Sequence, residues 1–221
     1  MKQSYSDVWS FWCALRDANT EESLNKIAQD CANINMTNEI GKSVLDYAIE
    51  YERNDILKVL IKNGANVNFK NDYENGKTPL MSACYGCKVD FEIVNTLIEA
   101  GADIFACDTA DWTPLMCACQ KVGNKPIVQL LLDRGANVND KDKNRLSVLM
   151  IACRGGDADI VRLLLAKQAR INDLDKCKRS ALDFAITKEI KNLLKKELVK
   201  NYNNRLKERT IYKCGNVAKN K

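Results

Sequence analysis

Gly76 to Ala83 reads GKTPLMSA, and Asp111 to Ala118 reads DWTPLMCA. Alone, GKT has the ending of a phosphate-binding loop, and the CYGC of Cys84 to Cys87 has the look of a redox or zinc pair. The recurrence decides against both. Looser copies read GKSVLDYA, RLSVLMIA and KRSALDFA, so that Ser43, Thr78, Thr113, Ser147 and Ser180 form one series of anchors. Their spacings are 35, 35, 34 and 33 residues, a period that signals stacked supersecondary units.

A second segment follows each anchor in register: VLIKNGANVN, TLIEAGADIF, LLLDRGANVN and LLLAKQARIN. Gly64, Gly101 and Gly135 share one position in it, and Gln168 holds that position in the last copy. The chemistry of one unit is consistent throughout. The Thr78 hydroxyl can cap a helix, and Pro79 suits a first turn whose amide has no partner. Leu80, Ala83 and Cys84 share one face; Ile93, Val94, Leu97 and Ile98 make a second helical stripe. Gly101 closes that helix where a left-handed residue is wanted. Asp103 to Trp112 leaves room for a projecting hairpin.

These interlocked motifs resemble the ankyrin repeat over about residues 36–190, with a degenerate copy reaching back to about residue 5. The resemblance implies an all-α solenoid with short β-hairpin fingers, built from five to six stacked helix–turn–helix units. It divides the chain into an irregular N-terminal capping repeat (1–36), repeats with a C-terminal cap (37–200) and a basic tail (201–221). In the first unit Trp9, Trp12 and Leu15 are expected on one helix face, and Leu24 with Ile27 on the next. The chain departs from the family pattern in three ways. The family's histidine after T-P-L is replaced by Met81, Met116 and Met150, and by Asp46 and Asp183. Gly64 to Thr78 spans 14 residues where other copies span 12, which lengthens a finger. Thr78 to Gly101 spans 23 residues, and Thr113 to Gly135 spans 22, against 21 elsewhere, which enlarges the turns inside those units.

The apparent catalytic signatures fail on spacing. A P-loop needs a glycine five residues before GK[ST]; Asn71 and Met36 stand there. An EF-hand counted from Asp140 needs Gly and Glu where Arg145 and Ile151 stand, so DKDKN and DLDKCKR read as solvated hairpin residues. Cys84, Cys119 and Cys153 each lie six residues past an anchor and should form a packed ladder. A zinc set of Cys84, Cys87, Cys117 and Cys119 is the rival, weakened because Cys117 and Cys119 diverge on a helix. The chain has no histidine, the usual partner of a Ser or Cys nucleophile. No catalytic residue, cofactor, metal or small-molecule substrate is therefore expected.

Of the 221 residues, 46% are hydrophobic and 29% charged, as in soluble folded proteins. No apolar run approaches the roughly 18 residues of a membrane span, and the start lacks the core of a secretory signal. Ten cysteines without signs of export point to a reducing, cytoplasmic location. The net charge of +5 is uneven: Lys188 to Lys221 carries eleven basic and three acidic residues, leaving the body at −3.

The resemblance implies a protein partner, bound by finger tips and the concave side of the first helices. The matching positions give Tyr51, Tyr73, Lys77, Tyr85, Trp112, Gln120, Leu146, Arg154 and Arg179 as partner-binding residues. An exposed row of Trp, Tyr and Arg has the composition of a binding hot spot. For Trp112 the alternative is packing onto the adjacent finger. The tail at 201–221 is either a solvated extension or an arm for an acidic protein, RNA or an anionic membrane.

Overall fold

The computed structural model describes residues 7–86 and 90–217, with 204–217 described by backbone alone. Six helix pairs follow one another: α1 (Val8–Asp17) with α2 (Glu21–Asp30), α3 (Val44–Glu50) with α4 (Asn54–Lys62), and α5 (Pro79–Tyr85) with α6 (Phe91–Glu99). Then come α7 (Pro114–Cys119) with α8 (Lys125–Asp133), α9 (Val148–Gly155) with α10 (Ala158–Ala166), and α11 (Ala181–Phe184) with α12 (Lys188–Val217). First helices stack in the order α1, α3, α5, α7, α9, α11; second helices stack from α2 to α12 beside them. Among the described residues strand pairing is confined to isolated antiparallel bridges, Thr37–Ser43, Asn71–Lys77 and Lys141–Ser147, at the bases of three fingers.

α3, α5, α7 and α9 start at their anchors because the anchor side chain satisfies an orphan amide. Thr78 and Thr113 accept from the amides of Met81 and Met116, with Pro79 and Pro114 in the first turn. The residue three past the anchor then divides by chemistry. Asp46 and Asp183 accept hydrogen bonds from the Ser43 and Ser180 amides at 2.8 and 2.7 Å, and in α3 the Asp46 amide donates back to Ser43 Oγ at 3.2 Å, completing a capping box. Met81, Met116 and Met150 are wholly buried instead, and Met150 Sδ accepts from the Ser147 amide at 3.5 Å, a weaker form of the same closure.

The interior is continuous from Val8 to Leu194 and runs along the stack. Each unit thus shields its apolar face mainly on its neighbours. In α1 the buried face is Val8, Phe11, Trp12 and Leu15, while Trp9 is 49% exposed. This corrects the expectation for Trp9. Positions 8, 11, 12 and 15 follow the helical period, and residue 9 lies about 100° round the axis from residue 8. α12 runs without interruption through the 200/201 boundary drawn from composition, with Ile190 and Leu194 buried against the stack.

Candidate partner-binding surface

The fingers are built on short polar turns. Asn38, Asp108, Asp142 and Asp175 each lie five residues before an anchor, and Asn71 takes the same role in the lengthened finger. Asp142 Oδ1 accepts from the Asn144 and Leu146 amides at 2.8 Å each, and Asp175 Oδ1 accepts from the Arg179 amide at 2.7 Å. Such side-chain-to-backbone turns fix a loop without a strand partner. Asp142 and Asp175 are 5% exposed. The solvated reading of DKDKN and DLDKCKR is therefore corrected at these two residues, where amide donors replace water. Backbone bonds tie neighbouring fingers: the Thr109, Lys143 and Lys176 amides donate to the Asn75, Ala110 and Asn144 carbonyls at 2.8–3.0 Å. A second ladder lies at the opposite loops. Asn68 donates to the Gly101 carbonyl at 3.0 Å and accepts from the Asp103 amide at 2.7 Å; Asn35 makes the corresponding pair with Gly64 and Asn66. The recurring second Asn of GANVN was the legible signal for it.

GKT is a turn. Gly76 is left-handed at φ 74°, its amide bonded to the Asn71 carbonyl at 2.8 Å. The Lys77 ammonium does not face a phosphate cradle; it sits 5.0 Å from the centre of the Tyr85 ring. Lys121 of the next unit lies at the same distance from that ring. Two cations and one 42%-exposed tyrosine thus form a single patch bridging α5 and α7. Tyr51 caps α3, is half exposed, and stacks on Trp12 with centroids 5.4 Å apart. Tyr73 stands on a 3₁₀ turn at Asp72–Glu74 and is 73% exposed. Gln120 is half-buried at the end of α7, and Arg154 is exposed at the end of α9. Arg179 is exposed, with its guanidinium 4.6 Å from the Phe184 ring centre and 2.8 Å from Asp175.

Two expected residues fall elsewhere. Leu146 is buried at 9% exposure, because the turn closed by Asp142 folds its backbone inward between two bonds to that aspartate. It is removed from the surface. Trp112 is half-buried against the core, and its indole N–H donates to Asp142 Oδ2 at 3.3 Å. That geometry matches packing onto the adjacent finger.

Cys84, Cys119 and Cys153 are wholly buried at equivalent places in α5, α7 and α9, with Cys117 beside them. Cys87, the fourth member of the zinc set, lies outside the described residues. Among the described residues no three Cys, Asp or Glu side chains converge on a point that would hold a metal ion. Burial pushes the Cys84 and Cys119 thiols well up, and those of Cys117 and Cys153 up to about 12. A thiolate is thus disfavoured in the fold but forms freely near pH 9 once the chain unfolds. The stabilisation is intact below that pH and drains away above it. Each thiol contributes a loss of about 1.4 kcal/mol per pH unit between roughly 9 and its folded value. The melting temperature is expected to hold to pH 8 and fall steeply from pH 9. Cys117→Ala with Cys153→Ala should lessen that slope in calorimetric scans. An unchanged slope would show that other groups set it.

A family profile described as ankyrin repeats (3 copies) matches residues 11–108, 45–142 and 115–204. Similar proteins include the Ankyrin repeat, SAM and basic leucine zipper domain-containing protein 1 of Notamacropus eugenii and of Mus musculus. Each is 41% identical over 64 residues, covering 29% of this chain and 13% of theirs. The Ankyrin repeat and KH domain-containing protein mask-1 of Caenorhabditis elegans is 36% identical over 107 residues, covering 47% of this chain and 4% of its own length. The chain thus spans a small part of the relatives it matches. The profile covers nearly all of the helix pairs, whose capped first helices, left-handed closures and bridged fingers repeat in the same register. This chain belongs to the ankyrin-repeat family.

Proposed function

We propose that this chain is a non-enzymatic binding module, an adaptor or a fixed subunit of an assembly, that holds a partner protein on its first-helix ends and fingers. Proteins of this family generally serve protein–protein interaction. The observation that carries the reading is the in-register strip of Tyr51, Tyr85 with Lys77 and Lys121, Arg154 and Arg179, joined by Tyr73. Rigid aromatic rings and guanidinium groups supply contact area at small entropic cost. Hydrogen-bonded fingers keep that strip organised before binding, which lessens the ordering cost of association. The buried free thiols favour a reducing compartment such as the cytoplasm. Among the described residues no helix is long and apolar enough to cross a membrane.

The test compares the chain with a Tyr73→Ala, Tyr85→Ala variant, each immobilised and exposed to extract of its source cells, with retained proteins identified by mass spectrometry. Both rings are exposed, so circular dichroism should be unchanged. A protein held by the natural chain is expected to bind the variant at least about thirtyfold more weakly, or about 2 kcal/mol. Equal retention by both overturns the map. A second reading uses Lys188, Lys191, Lys195, Lys196 and Lys200, all exposed on α12, together with the 201–221 tail, as a surface for RNA, an anionic membrane or an acidic protein. Retention abolished by moderate salt and by deletion past Tyr202, yet indifferent to the two tyrosines, would favour it.

A further inference from the structure

The two larger departures from the repeat pattern both fall in the third unit, one in its finger and one in its inner turn. They meet in space. Between α3 and α5 lies an open groove of about 460 Å³, whose floor includes Ile49, Ala83 and Ile93. The lengthened finger delivers Glu74 to its wall, and the enlarged turn delivers Gly86 and Asp90. Neither insertion is slack along its described part. The finger is held by bonds from the Glu74 and Gly76 amides to the Asn71 carbonyl, at 3.0 and 2.8 Å, and by the Thr109 amide on Asn75. Asp90 is fixed as the cap of α6, accepting from the Glu92 amide at 2.8 Å.

Among the described residues the rim around this apolar floor is predominantly acidic: Asp46, Glu50, Glu52, Glu74 and Asp90 stand with one cation, Lys42, which is already paired with Glu50. The formal charge of these described side chains is −4. A carboxylate or phosphate is repelled here, and a purely aliphatic side chain leaves the rim unanswered. The chemistry that answers both parts is a side chain with an apolar stem and a cationic head.

We infer that this groove seats an arginine or lysine side chain from an extended segment of a partner protein. The stem lies on Ile49, Ala83 and Ile93, and the head reaches the carboxylates of Glu50, Glu52 and Glu74. Charge complementarity selects the occupant, and the lengthened finger, with Gly86 and Asp90, walls the groove that holds it. Adjacent to the groove, the Lys77–Tyr85–Lys121 patch turns the surface positive, so the preference for a cation ends at α5. The inference rests on the reading of this face as a binding surface and deepens it.

The test is a fluorescence-anisotropy titration of the full chain with a short labelled peptide alternating arginine and glycine, against its glutamate counterpart and a single-stranded oligonucleotide. Two variants are compared. Glu50→Gln with Glu52→Gln and Glu74→Gln removes rim charge without touching a helix cap or the core. Ser82→Arg, on the half-buried groove-facing side of α5, fills the site with the protein's own cation. The arginine peptide is expected to bind the natural chain and to lose roughly tenfold or more in affinity to each variant, with circular dichroism unchanged. Wild-type affinity in both variants overturns the proposal. Loss with Ser82→Arg alone overturns the cationic assignment, since volume without charge would then matter. If the rim variants instead abolish self-association seen by sedimentation and leave peptide binding intact, a second copy's basic helix is the occupant and the proposal falls. The tyrosine variant reports on the wider surface separately, because neither ring lines the groove.

Discussion

Trp12→Ala is expected to destabilise the protein by about 3–5 kcal/mol, and the damage should stay at one end of the array. The indole is 1% exposed in α1 and is the largest of the fully buried side chains. Its ring stacks on Tyr47 and Tyr51 of the second unit, with centroids 5.9 and 5.4 Å apart, so it fastens the first unit to the second. Removal leaves a cavity in the core and two tyrosines that have lost a stacking partner. In a stack where units touch only those beside them, the energy is lost at that seam and nowhere else. Thermal melting followed by far-ultraviolet circular dichroism should show a low-temperature transition of small amplitude. Near-ultraviolet signal from the aromatic cluster should vanish with it, while the later units melt at their former temperature. A single transition displaced as a whole would show that the first unit is coupled more widely than its contacts suggest. Trp9→Ala is the control: half exposed, with an edge-on contact to Tyr47, it should cost far less.

That contrast between Trp9 and Trp12 marks what the sequence made legible. Period and anchors located the paired helices, because Ser or Thr at a cap, Pro in a first turn and Gly at a closure are local demands of the backbone. Orientation about a helix axis was less secure in the first unit, where no anchor fixes the register and two tryptophans compete for the core. The proposed binding surface was half legible. Position within the repeat placed Tyr51, Tyr73, Tyr85, Arg154 and Arg179 in the open. It placed Leu146 there too, because homologous positions are usually polar. The turn built by Asp142 reverses that, and it depends on three amide and indole donors converging on one carboxylate. Convergence of that sort is a property of folded loops and leaves no periodic trace. The groove beside α5 was hidden for the same reason. Its two insertions were visible as lengths, but that Glu74 and Asp90 line one groove required the stack.

Gly155→Val should be the most damaging change available in the middle of the array. Gly155 is the last residue of α9, where a glycine would ordinarily be improved by alanine by roughly 1 kcal/mol. Here a side chain has nowhere to go. A Cβ on Gly155 would sit 2.7 Å from the Cys119 carbonyl oxygen and 3.1 Å from the Gln120 carbonyl. All of these are backbone atoms of the preceding unit, which cannot swing aside as a flexible side chain could. Relief requires α7 and α9 to separate, and these packed helices also carry Cys119, Cys153, Met116 and Met150, all wholly buried. The cost is expected to be about 3 kcal/mol or more for valine, and about 1–3 kcal/mol for alanine, opposite in sign to helix propensity. Gly64→Ala separates this effect from backbone strain, since Gly64 has φ 92° but nothing within 4 Å of its Cβ position. It should cost only about 1–2 kcal/mol, through the left-handed conformation alone. The location of the loss also differs from that of Trp12→Ala. Parting the fourth unit from the fifth cuts the stack into a block of four units and a block of two, so denaturation should resolve into two transitions, neither of them the small first-unit step expected for Trp12→Ala. A Gly155→Ala protein as stable as the natural chain would mean that α7 and α9 do not approach this closely, and the close stacking of first helices would have to be redrawn at that seam.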